Sequence, residues 1–166
     1  MTSSRTIASP FNLLPVALTG ALCALGFGPV FGGWPGYLAA GGGVLLGLVL
    51  AWISAGRWGV ALTTAAGIII YIAFVGVLAL PDTTIAGFLP SLETVQRGTL
   101  LVVQSWRDLL TVAVPAGVFS GPAVVPMLSA LICSTAAGRL ALTRRWYALA
   151  GVPMLVLLLV AILWGT

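Results

Sequence analysis

Lysine and histidine are both missing from these 166 residues, and acids are scarce: Asp82, Glu93 and Asp108 are the only three. Without histidine there is no imidazole base, and two cysteines without histidine cannot make a usual zinc site. The three carboxylates do not pair at a spacing useful for acid–base work. The sequence holds no nucleophile elbow and no phosphate-cradling glycine loop; its 21 glycines are scattered through apolar runs, where packing accounts for them. No catalytic, cofactor-binding or metal-ligating residue is assigned, and no cofactor is expected.

Charge is what the chain lacks most. Only 6% of residues are charged and 60% are hydrophobic, against roughly 25% charged in soluble domains. After Arg5 no ionised side chain appears until Arg57, 51 residues in between, and uncharged stretches of 24, 30 and 21 residues follow at 58–81, 109–138 and 146–166. A helix needs roughly 20 mostly apolar residues to cross the hydrocarbon core of a bilayer. The longest stretch has room for two crossings, so five spans are expected. The fold class is all-α, a polytopic helical membrane bundle of about five transmembrane helices plus one amphipathic helix on the extracytoplasmic side. The spans fall at about 11–30, 37–53, 60–80, 122–142 and 146–164, within a single domain of residues 1–166. The main partner is the lipid bilayer.

The seven arginines give a net charge of +4. Five of them sit at or near span ends, which points to orientation in the membrane rather than to nucleic acid or another acidic partner. With the N-terminus in the cytoplasm, Arg5, Arg57, Arg139, Arg144 and Arg145 fall inside, and only Arg97 and Arg107 fall outside; the opposite orientation reverses the split. The positive-inside rule selects the first arrangement. The location expected is the inner or plasma membrane, with the C-terminus on the extracytoplasmic side. Ending directly after an apolar run, the chain reads as a fragment of a longer protein. The first apolar stretch reads as a retained helix rather than a cleaved signal, since a single Arg precedes it and Pro15 interrupts it. A lipoprotein reading of Cys23 is weakened by Leu22, which stands where a small residue belongs. Cys23 and Cys133 are expected as free, apolar thiols within spans.

Three patterns stand out. In the second span Ala39, Gly43, Gly47, Ala51 and Ala55 recur at every fourth residue, a stripe that lets another helix approach closely in lipid. The stripe serves either a neighbouring span or a second copy, and the neighbouring span is favoured because four other spans need partners. Pro153 is expected to kink or loosen the fifth span. Trp34, Tyr37, Trp58, Trp146, Tyr147 and Trp164 cluster near span ends, as interfacial aromatics do. The long connection between the third and fourth spans carries mixed chemistry. Leu92, Val95, Thr99, Val102, Trp106, Leu109 and Ala113 recur at steps of three and four, with Glu93, Gln96, Arg97, Gln104, Arg107 and Asp108 opposite. This predicts an amphipathic helix over about 91–113 that lies along the outer interface or packs across the mouth of the bundle. Its polar face, with Arg97, Arg107 and Asp108, is either a docking surface for a following domain or a plain cover. Asp108 lies outside the spans, whereas transporters and proton relays usually place ionisable groups at mid-membrane.

The run Trp106-Arg107-Asp108-Leu109-Leu110-Thr111-Val112-Ala113-Val114-Pro115, with Val124-Val125-Pro126-Met127-Leu128 and Arg139-Leu140-Ala141-Leu142-Thr143-Arg144-Arg145 after it, resembles actinobacterial transglutaminase-like membrane proteins. That family often reads Pro-Pro where Val114 and Pro115 stand here. The resemblance implies an N-terminal membrane region that precedes an extracytoplasmic domain with a papain-like Cys-His-Asp triad, followed by a final membrane helix. Neither Cys23 nor Cys133 matches the triad, so no catalytic residue carries over to this chain. The function implied is anchoring of a cell-envelope domain absent from this chain. The alternative is a small integral-membrane subunit of a transporter.

Overall fold

The computed structural model describes residues 9–29, 33–79, 84–85, 89–90, 96, 98–102, 123–143 and 146–165. The fold is an all-α bundle. Its helices are α1 (Leu13–Phe27), α2 (Trp34–Ser54), α3 (Val60–Ala79), α4 (Val124–Ala141) and α5 (Gly151–Gly165). A 3-10 turn, Pro10–Asn12, leads into α1, and a second, Tyr147–Ala150, leads into α5. Two two-residue strands, Thr84–Ile85 and Leu89–Pro90, pair antiparallel after α3, with Thr84 opposite Pro90 and Ile85 opposite Leu89.

Proline marks where the helices begin. Pro15, Pro126 and Pro153 are each the third residue of their helix, and Pro35 is the second residue of α2. The first turn of a helix has no carbonyl partner for its N–H groups, so a residue without an N–H loses nothing there. This is why α2 opens at Trp34, three residues before the expected start. At Pro153 the last span is loosened locally, as expected: Tyr147–Ala150 is wound as a 3-10 turn, and α5 begins at Gly151 with the proline in its first turn. Fifteen α-helical residues rise about 22 Å and four 3-10 residues about 8 Å, which together match a hydrocarbon core of about 30 Å. Four helical segments, Pro10–Phe27, Trp34–Ser54, Val60–Ala79 and Val124–Ala141, are long and apolar enough to cross a membrane unaided, and Tyr147–Leu163 is a shorter apolar helix. The chain is a membrane-spanning protein.

The centre of the bundle is the α2–α4 pair. The two helices run parallel: Gly43 faces Met127 and Ala130, Gly47 faces Leu131 and Ser134, and Ala51 faces Gly138. A Cβ added at Gly43 would stand 2.5 Å from the Met127 carbonyl oxygen. One added at Gly47 would overlap Ser134 Oγ and lie 2.7 Å from the Leu131 carbonyl oxygen, and one at Gly138 would be 2.7 Å from Ala51 Cβ. The α2 stripe of small residues thus meets a second stripe on α4, Ala130, Ser134 and Gly138. Ala39, Ala51, Ala130 and Ser134 are all fully buried, and α4 is the most buried span, at 61% of its best window.

The other helices flank this pair. On one side, Val16, Cys23 and Phe27 of α1 pack with Met154, Leu157 and Ala161 of α5 against Val44, Leu48, Val125 and Ala137. On the other, Tyr71 and Val75 of α3 pack against Ala39, Val124, Met127 and Leu131. Asn12 Nδ2 donates to the Ala141 carbonyl across 3.4 Å, which brings the start of α1 to the end of α4. Helices α1, α3 and α5 therefore run opposite to α2 and α4. The outer surface is apolar: Leu14, Leu18, Leu22 and Leu25 form an exposed stripe on α1, and Leu155, Leu159, Ile162 and Leu163 one on α5. Such stripes would be aggregation sites in water and are the natural surface in hydrocarbon.

Gly47→Leu is expected to lower the melting temperature in detergent, because overpacking typically costs about 1–3 kcal/mol. Gly41→Ala is the matched control, since a Cβ at Gly41 meets nothing within 4 Å. A melting curve of Gly47→Leu superposable on wild type, followed by circular dichroism, would contradict the close α2–α4 approach.

Candidate functional site

Hydroxyls placed in hydrocarbon must find acceptors, and a helix offers them on its own backbone. Ser129 Oγ donates to the Val125 carbonyl at 2.7 Å, Ser134 Oγ to Ala130 at 2.6 Å and Thr135 Oγ1 to Leu131 at 2.7 Å. Two of these groups also reach across to α2: Ser134 Oγ is 3.4 Å from the Gly43 carbonyl oxygen and Thr135 Oγ1 is 3.3 Å from that of Gly47. Glycine leaves those carbonyls uncovered, so the small stripe serves hydrogen bonding as well as close packing. Among the described residues no buried side-chain nitrogen or oxygen lacks a partner.

On the other side of α4 the packing is looser. A cavity of about 820 Å³ lies between α2, α3, α4 and residues 98–102. Its walls include Leu50, Ile68, Ile72, Val102, Leu128, Leu131 and Ile132. Five hydroxyl residues also line it, and each has a carbonyl to donate to: Thr63 to Gly59 (3.0 Å), Thr64 to Val60 (3.0 Å), Tyr71 to Gly98 (2.8 Å), Thr99 to Gln96 (2.9 Å) and Thr135 to Leu131. With those protons engaged, the walls behave as apolar surface.

One described charge lines the cavity. Arg139, in the last turn of α4, donates from Nη2 to the Trp58 carbonyl at 2.8 Å and from Nη1 to Thr63 Oγ1. Its guanidinium thus ties the end of α4 to the start of α3. The sequence places Arg139 near a span end, where its long stem lets the charge reach outward. In the structure the side chain is half-buried and reaches the Trp58 carbonyl, just ahead of α3 at the same end of the bundle. The turn ahead of α3 offers a carbonyl at Trp58, and a partnered guanidinium is less costly to desolvate than a bare one.

The connection between α3 and α4 is described only in part. Residues 98–102 are helical and Gln96 is exposed, consistent with its expected polar face. Gly98 is buried: its carbonyl accepts from Tyr71 Oη, and a Cβ on it would stand 3.2 Å from Val75. Tyr71 is the twelfth of the twenty residues of α3, about 12 Å along the axis from Ala79. Gly98 itself stands against Val75, four residues before the end of α3, so the segment reaches about one turn below that end. The reason is local: 98–106 carries no charge, and Gly98 lets the backbone reach the α3 surface. Val102 of the expected stripe is half-buried, and so is Leu101, which the stripe omitted.

Of the residues singled out in the sequence, Ala39, Gly43, Gly47 and Ala51 are brought together along α4, and Ala55 is buried just past the end of α2. Arg97, Arg107 and Asp108 lie outside the described residues. Cys23 and Cys133 are both free thiols, Cys23 buried among α1 and α5 residues with Sγ 3.8 Å from the Met154 carbonyl oxygen. The α4 stripe was missed, although its signal is the same spacing of four, at Ala130, Ser134 and Gly138. The cavity has no sequence signal, because its residues come from three helices and one connection. No group of three or more potential metal ligands occurs among the described residues. No family model, curated protein or solved structure matches the chain.

Tyr71→Phe removes the one described hydrogen bond from α3 to Gly98, worth about 1 kcal/mol. Hydrogen exchange at residues 98–102 should become severalfold faster, with α2 and α4 unchanged. Unchanged exchange at 98–102 would show that this contact does not hold the segment.

Proposed function

We propose that this chain is the membrane-anchoring domain of a transglutaminase-like cell-envelope protein, which tethers and positions an extracytoplasmic domain that follows it. The observation that supports this reading is how the polar side chains of the bundle are used. Ser134 and Thr135 tie α4 to α2, Arg139 ties α4 to α3 and Asn12 ties α1 to α4. They fix helices to one another, as a rigid platform requires. The resemblance over residues 106–145 supplies the kind of domain that such a platform would carry, and Arg97, Arg107 and Asp108 are the surface on which it would rest.

The orientation belongs to the same proposal: N-terminus in the cytoplasm and the 80–122 connection outside. Arg57 and Arg139 lie near the same end of the bundle, where α2 and α4 stop and α3 begins, and the arginine distribution assigns that end to the cytoplasm. With Cys23 and Cys133 replaced by Ala, a cysteine at Ser91 should react with a membrane-impermeant maleimide in intact cells and one at Ser4 should not. The reverse labelling pattern would invert the topology.

The decisive experiment for the anchoring reading is to follow the native reading frame beyond Thr166. A further domain with a Cys-His-Asp set is the expected result. A frame that closes near Thr166, with the product co-purifying with an ATPase, would replace this reading with that of a transporter subunit.

A further inference from the structure

The central helix α2 also has an outer face. Trp34, Leu38, Gly41, Leu45, Val49 and Trp52 recur along it at steps of three and four, opposite the small stripe that meets α4. Trp34 is 72% exposed, Leu45 66% and Trp52 62%, and a Cβ at Gly41 would meet nothing within 4 Å. The two tryptophans bracket this face. They stand 18 residues apart, which is five full turns, so both rings project from the same side of the helix. Their separation along the axis is about 27 Å. Side chains lean toward the N-terminus of a helix, which moves both rings the same way and keeps that spacing.

Tryptophan collects where hydrocarbon meets headgroups, because its ring is apolar and its N–H is not. A single tryptophan at a span end marks one edge of the hydrocarbon. A pair on one face, with an uncharged apolar stripe between them, marks both. We infer that Trp34 and Trp52 stand at the two edges of the hydrocarbon core, and that the bundle is built for a thin bilayer, with a core of at most about 27 Å rather than the average of about 30 Å. Any tilt of α2 lowers that figure further. Other elements agree with it. The helix α4 is about 27 Å long, and Pro10–Phe27, a 3-10 turn followed by fifteen α-helical residues, about 28 Å. The last span and α3, about 30 Å each, fit the same slab at an ordinary tilt. At the end of the bundle where α2 and α4 stop, Trp146 and Tyr147 are exposed as well, so the edge marked by Trp52 is marked again ahead of α5. The proposal is independent of what domain the bundle carries.

Spin labels and bilayers of two thicknesses test it. Leu38→Cys, Gly41→Cys, Leu45→Cys and Val49→Cys, made singly in the full chain with Cys23→Ala and Cys133→Ala, each carry a nitroxide in phosphatidylcholine vesicles. Its depth is read from collisions with oxygen and with a water-soluble nickel chelate. Gly43 lies halfway between the tryptophans, so labels at 41 and 45 should be deepest and alike, and labels at 38 and 49 shallower by about 5 Å and alike. Wild type should melt several degrees higher, by circular dichroism, in vesicles with a core of about 27 Å than in vesicles with one of about 33 Å. A depth that changes steadily in one direction from 38 to 49 would take one tryptophan away from its edge and overturn the assignment. An immobile, oxygen-poor label at 45 would overturn it too, by placing a second copy or another subunit on the face. An equal or higher melting temperature in the thicker bilayer would overturn the thickness. Should one labelled variant fail to fold, the other three still locate the midplane.

Discussion

The close approach of α2 and α4 is the contact on which the rest of the bundle depends. In a bilayer, apolar side chains gain nothing by leaving lipid for one another, so helices associate through dispersion over well-fitted surfaces and through hydrogen bonds. Small residues on both sides provide both. Gly43 and Gly47 admit the backbone of α4 at Met127 and Leu131, and they expose carbonyls that Ser134 and Thr135 can reach. One span, α3, lies between them in the chain, so the two helices cross in the same direction and run parallel.

Around that pair the two flanks differ in kind. The α1 and α5 flank is closely packed, with Phe27 and Leu157 fully buried. The α3 flank is held by fewer interactions: 22% of the best window of α3 is buried, the lowest share of the four long spans. Tyr71, Val75 and the Arg139 contacts to Trp58 and Thr63 secure it at points. The cavity lies on this less buried flank, between α3 and α4.

Arg139 shows how a single charge is placed in such a bundle. Its position in the last turn of α4 suits a cation, because the helix dipole ends there with partial negative charge. The neighbouring turn into α3 supplies a carbonyl at Trp58, and Thr63 a hydroxyl. Desolvating the guanidinium is tolerable only because those partners stand ready. The result is a polar end on an otherwise apolar cleft, at the depth of a membrane surface.

Much of the architecture was legible from composition and spacing. Uncharged runs of 20 residues or more marked the helices, and the four-residue repeat at Ala39, Gly43, Gly47 and Ala51 marked the tight face, because both signals are local. The first-turn prolines carried a local signal that the span limits did not use: Pro35 stands in the first turn of α2, which begins at Trp34, and Pro153 in the first turn of α5. What spacing could not supply was the partner of the small stripe, the depth reached by residues 98–102, or the cavity. Each depends on which helices stand side by side, and that is settled by surface fit between segments far apart in the chain, 91 residues between Gly43 and Ser134 and 131 between Cys23 and Met154. Lack of charge put these helices in a membrane, and the shapes of their faces chose their neighbours.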